Sequence, residues 1–273
     1  MSATPKEPAR VTVLDFRAKK ERGEPLVVVT AYDALFGRLV DESGVDCVLV
    51  GDSLGNLLAG YGTTIPVTLD QMVYHARSTR AGVKRALLAV DMPFLTYQVS
   101  PQRALVNCGR VMQESGADAV KLEGASQNTL AAVRAVTEAG IPVMGHLGFT
   151  PQSVLALGGS RVQARDAEGA RRLVENARAL EAAGVFSIVL ELIPAEVAAR
   201  VTEAVSVPTI GIGAGVSCDG QVLVLHDLLG LNEGFAPKFL KRYASLAGDV
   251  RDAISRFGHE VRERKYPDDD HSF

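Results

Sequence analysis

Residues 47–55 read Cys47-Val48-Leu49-Val50-Gly51-Asp52-Ser53-Leu54-Gly55, a short apolar run that passes through glycine into an acid. A continuous apolar run of this length, stopped by a turn residue, fits a strand buried on both faces by flanking helices. Ala86-Leu87-Leu88-Ala89-Val90-Asp91 repeats the pattern, again with an acid at its end. Working outward, further strands are expected at 26–30, 119–122, 141–145, 187–191, 209–212 and 221–225. Eight strands alternating with helices is the count a closed barrel requires, so the expected fold class is α/β, a (β/α)8 TIM barrel. A doubly wound open sheet is the alternative, and both folds place ligands at the carboxyl ends of their strands.

The segments between strands carry helix signals. Thr68 and Gln71 fit a capping box, and Ser100-Pro101 combines a cap with proline at the first helical position. Leu105, Cys108, Val111 and Met112 then form an apolar stripe that ends before Gly116. Asp166 is placed to cap a helix carrying Leu173, Ala177 and Leu180 and stopping near Gly184. The link between Ile210 and Val222 is near the lower bound for a parallel crossover, and a very short helix is expected there. One domain is expected: a flexible tail at 1–9, a catalytic barrel with its C-terminal helices at 10–257, and a helix end with an acidic tail at 258–273. Val250, Ile254, Phe257 and Val261 recur at helical spacing, so that face needs a partner, either its own barrel or another chain.

Composition excludes several classes. No apolar run is long enough to span a bilayer, and the N-terminus lacks the apolar core of a secretory signal, so a cytoplasmic protein is expected. Cys47, Cys108 and Cys218 show no metal or CxxC spacing and read as reduced packing residues. With 29 Lys plus Arg against 32 Asp plus Glu and no tryptophan, the chain has neither a basic stripe nor stacking platforms for nucleic acid.

The chemistry lies where strands end. Asp52 and Asp91 each close an apolar strand at the mouth, and two converging carboxylates suit a hard divalent cation that keeps positions for water and substrate oxygens. Ordinary acidic loop capping is the competing reading of either alone. Lys121 and Glu123 alternate with Leu122, so both face one side; they read as a charge-stabilising pair or as a buried structural ion pair. Glu191 ends an apolar strand, where desolvation favours an acid-base role unless a basic residue pairs with it. His146 is a candidate hydrogen-bond donor to substrate or a satisfied structural histidine. Ser53 offers a hydroxyl or an amide to a substrate carboxylate, and the glycines of residues 209–215 suit either an anion-gripping loop or a backbone crossing.

Several strings together resemble the ketopantoate hydroxymethyltransferases. They are Thr30-Ala31-Tyr32-Asp33, Gly51-Asp52-Ser53-Leu54-Gly55, Ala89-Val90-Asp91-Met92-Pro93 and Val120-Lys121-Leu122-Glu123-Gly124, then Gly148-Phe149-Thr150-Pro151-Gln152-Ser153 and Thr209-Ile210-Gly211-Ile212-Gly213-Ala214-Gly215. The similarity runs from about Val11 to about Phe257; Asn56-Leu57-Leu58 departs from the Met-Val pair expected after the Asp-Ser-Leu-Gly string. The resemblance implies a barrel of the phosphoenolpyruvate and pyruvate type, assembled as a decamer of two pentameric rings. It implies Mg2+ on Asp52 and Asp91, with Glu123 linked to the metal through water, Ser53 and Lys121 near substrate, and Glu191 as the acid-base residue. The implied reaction transfers the one-carbon unit of 5,10-methylenetetrahydrofolate to 3-methyl-2-oxobutanoate, giving 2-dehydropantoate and tetrahydrofolate in pantothenate synthesis. Residues contacting the folate are not assigned. A metal-dependent lyase or mutase acting on a 2-keto acid, and a metabolite-binding barrel without catalysis, are the other functional classes.

Overall fold

The structure is a computed structural model that describes residues 9–273, so nearly all of the tail expected at 1–9 lies outside the described residues. The described chain begins with α1 (Val13–Arg22), β1 (Leu26–Thr30), α2 (Ala34–Glu42), β2 (Cys47–Val50), α3 (Leu54–Leu57) and α4 (Leu69–Gly82). It continues through β3 (Leu87–Asp91), α5 (Pro101–Ser115), β4 (Ala119–Glu123), α6 (Gln127–Glu138), β5 (Val143–Gly148), α7 (Val154–Leu157) and α8 (Ala167–Ala182). Then come β6 (Ser187–Glu191), α9 (Ala195–Ala204), β7 (Thr209–Ile212), β8 (Gly220–Leu223), α10 (Leu225–Leu228) and α11 (Leu246–Arg262). Each strand pairs in parallel with its sequence neighbours, and β8 pairs with β1, which closes the barrel.

The caps form where the sequence places them. Thr68 and Gln71 complete their capping box, Ser100 accepts the Arg103 N–H ahead of Pro101, and Asp166 accepts the Gly169 N–H. β5 starts at Val143, later than expected, because Pro142 has no N–H to give a strand ladder, and it runs on to Gly148, so His146 lies inside the strand. β3 and β4 each run one residue further than expected, to Asp91 and Glu123, and β8 begins at Gly220 and ends at Leu223.

No helix joins β7 to β8, which corrects the expectation of a very short one. Gly213 and Gly215 adopt φ of +63° and +84°, so the chain turns back in a few residues without a helical turn. A Cβ on Gly215 would stand 2.5 Å from the Ala195 Cβ, so glycine at 215 permits this close approach.

Interior positions follow period two along each strand. Leu87 and Ala89 on β3, Ala119 on β4, Met144 on β5 and Val189 on β6 belong to the apolar barrel core, together with Leu26, Val28, Cys47, Leu49, Ile210 and Val222. Continuing these rows toward the carboxyl ends gives Asp91, Lys121 with Glu123, His146 and Glu191. The same inward rows are thus apolar below and polar at the mouth.

The lower end is sealed by α1. Phe16 is wholly buried in the barrel core and meets Phe186 edge to face, with ring centroids 5.4 Å apart. Lys19 and Lys20, one turn further on, reach Asp46 at 2.6 Å and Asp219 at 3.0 Å. Those acids belong to a repeated device. Asp46, Asp118 and Asp219 precede β2, β4 and β8, and each accepts a backbone N–H from the preceding strand: Val27, Leu88 and Thr209 respectively. Each also pairs with a basic side chain, Arg10 and Arg80 serving Asp118, so the carboxylates at this rim are compensated. Phe16→Ala is expected to lower stability by roughly 3–5 kcal/mol, read as a reduced urea midpoint with an unchanged slope. A loss under 1 kcal/mol would mean that Phe16 does not fill the barrel floor.

The described chain divides into compact units at Val224. In the second unit, Arg251 grips Glu233 at 2.6 and 3.0 Å, and Arg242 donates to the carbonyls of Asn232, Glu233 and Phe235. α11 leaves Val250, Ile254, Phe257 and Val261 exposed.

Candidate active site

At the carboxyl ends of β2 to β6 the barrel gathers Asp52, Asp91, Lys121, Glu123, His146 and Glu191. Gly51 allows the turn after β2 to fold inward, since a Cβ there would stand 2.7 Å from the Ser53 Oγ and 3.5 Å from Asp91 Oδ2. The Asp52 backbone N–H then donates to Asp91 Oδ2 at 3.1 Å, which ties the first acid to the second. Strand register sets Asp91 beside Lys121 and Glu123 beside His146.

Lys121 sits among these groups, 4% exposed, with its Nζ 3.1 Å from Asp91 Oδ1, 3.7 Å from Glu123 Oε1 and 3.0 Å from His146 Nδ1. Burial opposes its charge, but Asp91, Glu123 and Asp52 together raise its pKa above the ordinary lysine value, so it stays an ammonium. His146 continues the chain of contacts, with Nδ1 3.3 Å from Glu123 Oε1 and Nε2 3.3 Å from Glu191 Oε2. Burial and Lys121 lower the histidine's pKa, but the two glutamates outweigh them and the net shift is upward.

The carboxylates respond differently. Burial, Asp91 and Glu123 push the Asp52 carboxyl well above the usual range, against Lys121 and Gln152. Asp91 is raised as well, by burial first, although Lys121 opposes it. Glu123 is lowered: burial raises it, but His146, Lys121 and the Gln152 N–H prevail. Asp91 Oδ1 and Glu123 Oε1 are buried without a hydrogen bond of proper geometry. Buried acceptors in this state, beside raised carboxyls, mark a place short of positive charge.

Every site residue proposed from sequence except Ser53 lies in this connected network. Ser53 follows Asp52 directly and places its Oγ 2.8 Å from the Tyr32 hydroxyl. Glu191 is the acid with access to solvent, its side chain 18% exposed. The next residue, Leu192, holds a left-handed backbone at φ +47°, a costly conformation for a bulky side chain and one that recurs at functional sites.

Sequence reasoning missed Gln152 and Tyr97. Gln152 donates from its backbone N–H to Glu123 Oε2 at 3.1 Å, and from Nε2 to Asp52 Oδ2 at 3.0 Å and the Met92 carbonyl at 2.8 Å. Tyr97, 1% exposed, donates from its hydroxyl to Gln152 Oε1 at 2.9 Å and accepts the Glu123 N–H at 3.0 Å. The signal for Gln152 was its place in a string already singled out, Gly148–Ser153. Tyr97 sits in the loop after β3 and carried no signal of its own.

The family model described as "Ketopantoate hydroxymethyltransferase" matches residues 10–269. The chain is 53% identical over 264 residues to the 3-methyl-2-oxobutanoate hydroxymethyltransferase of Pelobacter propionicus, covering 97% of each chain. It is 52% identical over 265 residues to the enzyme of the same name from Moorella thermoacetica, covering 97% of this chain and 98% of that one. Among solved structures, phosphonopyruvate hydrolase superposes with TM-score 0.64 at 12% identity, covering 95% of this chain and 92% of that one. A 2,3-dimethylmalate lyase, of the PEP mutase/isocitrate lyase superfamily, superposes with TM-score 0.60 at 15% identity, covering 96% and 91%. These likenesses speak for the barrel type, whereas the family match extends over nearly the whole sequence: this chain belongs to the ketopantoate hydroxymethyltransferase family.

Proposed function

We propose that the mouth network runs the family's reaction: 3-methyl-2-oxobutanoate, 5,10-methylenetetrahydrofolate and water give 2-dehydropantoate and tetrahydrofolate. The chain is a hydroxymethyltransferase of pantothenate synthesis. The observation that carries the mechanistic reading is the ring of buried carboxylates gathered around Lys121 at the barrel mouth.

Among the described residues, no three His, Cys, Asp or Glu side chains group so as to hold a metal ion unaided. Mg2+ does not require three, because it is commonly held by one or two carboxylates plus waters and substrate oxygens. Asp52 and Asp91 are linked by a hydrogen bond, and burial raises both carboxyls, with neighbouring acids adding to it and Lys121 opposing it; they fit that donor set. Asp52 and Asp91 would hold the ion, with Glu123 acting on it through water. When bound, Mg2+ supplies Lewis-acid polarisation of the keto group, which acidifies the adjacent C–H.

The chain's own groups do the rest. Glu191, reachable from solvent and with Oε2 3.3 Å from His146 Nε2, accepts the proton from the substituted carbon beside the ketone. Lys121 holds a fixed positive charge where the oxygen of the substrate becomes anionic, and burial strengthens that interaction. His146 and Ser53 orient the keto acid. The carbon freed of its proton bonds to the folate's methylene carbon while both C–N bonds of that methylene break; water supplies the hydroxyl oxygen of the product, and the proton taken by Glu191 and one from the water end on the two folate nitrogens, giving tetrahydrofolate. The exposed stripe Val250, Ile254, Phe257 and Val261 on α11 supports self-association, which we assign to a decamer, and the protein acts in the cytoplasm. Among the described residues no helix is long and apolar enough to cross a membrane.

The test supplies 3-methyl-2-oxobutanoate and methylene-labelled 5,10-methylenetetrahydrofolate, with and without Mg2+, and resolves products by mass. Label in 2-dehydropantoate only in the complete mixture is the expected result. Cleavage of a larger 2-keto acid, with no labelled product, would favour the lyase reading instead.

A further inference from the structure

Gln152 is 4% exposed, and its hydrogen-bonding capacity is spent on the site. Oε1 accepts from the Tyr97 hydroxyl at 2.9 Å and from Gln98 Nε2 at 3.0 Å, which fixes the amide with Nε2 toward Asp52 Oδ2 and the Met92 carbonyl. The backbone N–H of the same residue takes Glu123 Oε2 at 3.1 Å. One oxygen of Asp52 and one of Glu123 are therefore already engaged. The third acid is treated alike, because Asp91 Oδ2 accepts the Asp52 N–H. The other oxygens face the site's cationic side chains: Asp91 Oδ1 lies 3.1 Å from Lys121 Nζ, and Glu123 Oε1 lies 3.3 Å from His146 Nδ1.

We propose that Gln152, held by Tyr97, is a positioning residue that keeps Asp52 one-toothed and so selects a small octahedral cation over a larger one. The physical reason is coordination number. Mg2+ takes six ligands at short, nearly ideal positions, whereas Ca2+ takes more and readily accepts both oxygens of one carboxylate. An Asp52 with its second oxygen tied to an immobile amide cannot offer that second oxygen. This inference rests on the metal reading above and adds to it a determinant of which metal is held. Outer groups that orient metal ligands are commonly worth ten- to hundredfold in affinity.

The experiment titrates metal-stripped full-length protein with Mg2+ and, separately, with Ca2+ by calorimetry, comparing wild type, Gln152→Met and Tyr97→Phe. Gln152→Met keeps the bulk and removes the hydrogen bonds; Tyr97→Phe removes only the hydroxyl that steadies Gln152. Wild type is expected to prefer Mg2+. Gln152→Met should weaken Mg2+ binding at least about tenfold and lower the Mg2+ over Ca2+ preference by a similar factor, with Tyr97→Phe moving the same way by less. A lower melting temperature with an unchanged Mg2+ to Ca2+ ratio would overturn the proposal, leaving Gln152 as a packing residue. Should Gln152→Met fail to fold, an unchanged ratio in Tyr97→Phe overturns it equally. Absence of Mg2+ binding by wild type would instead defeat the metal reading, a result distinct from either.

Discussion

Asp52→Asn is expected to lower hydroxymethyl transfer at least about a hundredfold while leaving the metal-free protein as stable as wild type or more so. Loss of activity and gain of stability come from one cause. Asp52 is crowded by Asp91 and Glu123 in a buried site, and its carboxyl is raised well above the usual range by burial first and then by those neighbours. The folded protein thus holds that proton to a higher pH than the unfolded chain does. By linkage, that group lowers stability as pH rises above its unfolded value. Asparagine removes the charge yet still presents an oxygen to Gln152 Nε2, which now donates to Asp52 Oδ2 at 3.0 Å. What disappears is an anionic oxygen for a cation. Wild-type protein should therefore gain melting temperature with added Mg2+, and Asp52→Asn should gain little or none. Undiminished turnover together with an intact Mg2+-dependent rise would remove Asp52 from the metal site.

Glu191→Gln should slow exchange of the substrate's C3 hydrogen for deuterium by roughly 10^2- to 10^4-fold, with Mg2+ affinity nearly unchanged. The two effects separate because Glu191 touches the rest of the network only at its edge. Its Oε2 stands 3.3 Å from His146 Nε2, while Asp52 and Asp91 are joined to each other and to Lys121 and Gln152. An amide cannot accept the proton but keeps nearly the same shape beside His146. Deuterium exchange at the wild-type rate in this variant would assign proton transfer to another group.

Much of this molecule could be read before any fold was known. The strands around Cys47–Val50 and Leu87–Asp91 announced themselves as short apolar runs ending in acids, because a strand buried on both faces has no polar alternation to blur it. Asp52, Asp91, Lys121, Glu123, His146 and Glu191 were legible for the complementary reason: charge at the end of such a run is costly unless it is used or paired. The link from β7 to β8 was misread because local pattern does not reveal how tightly two left-handed glycines can turn a chain.

What the sequence determined by itself was periodicity and chemical type, since both are written in neighbouring residues. Period two put Lys121 and Glu123 on one face of their strand, opposite Leu122, and barrel closure decided that this face is the inward one. Tertiary structure alone decided the relations among distant segments. Phe16 is one of several apolar side chains in a helix rich in charge, and only barrel closure makes it the floor of the core. Gln152 is an uncharged amide far along the chain from Asp52 and Tyr97, and only the folded mouth turns it into the strut between their side chains. Such roles depend on directions and distances across the barrel, which no short stretch of sequence contains.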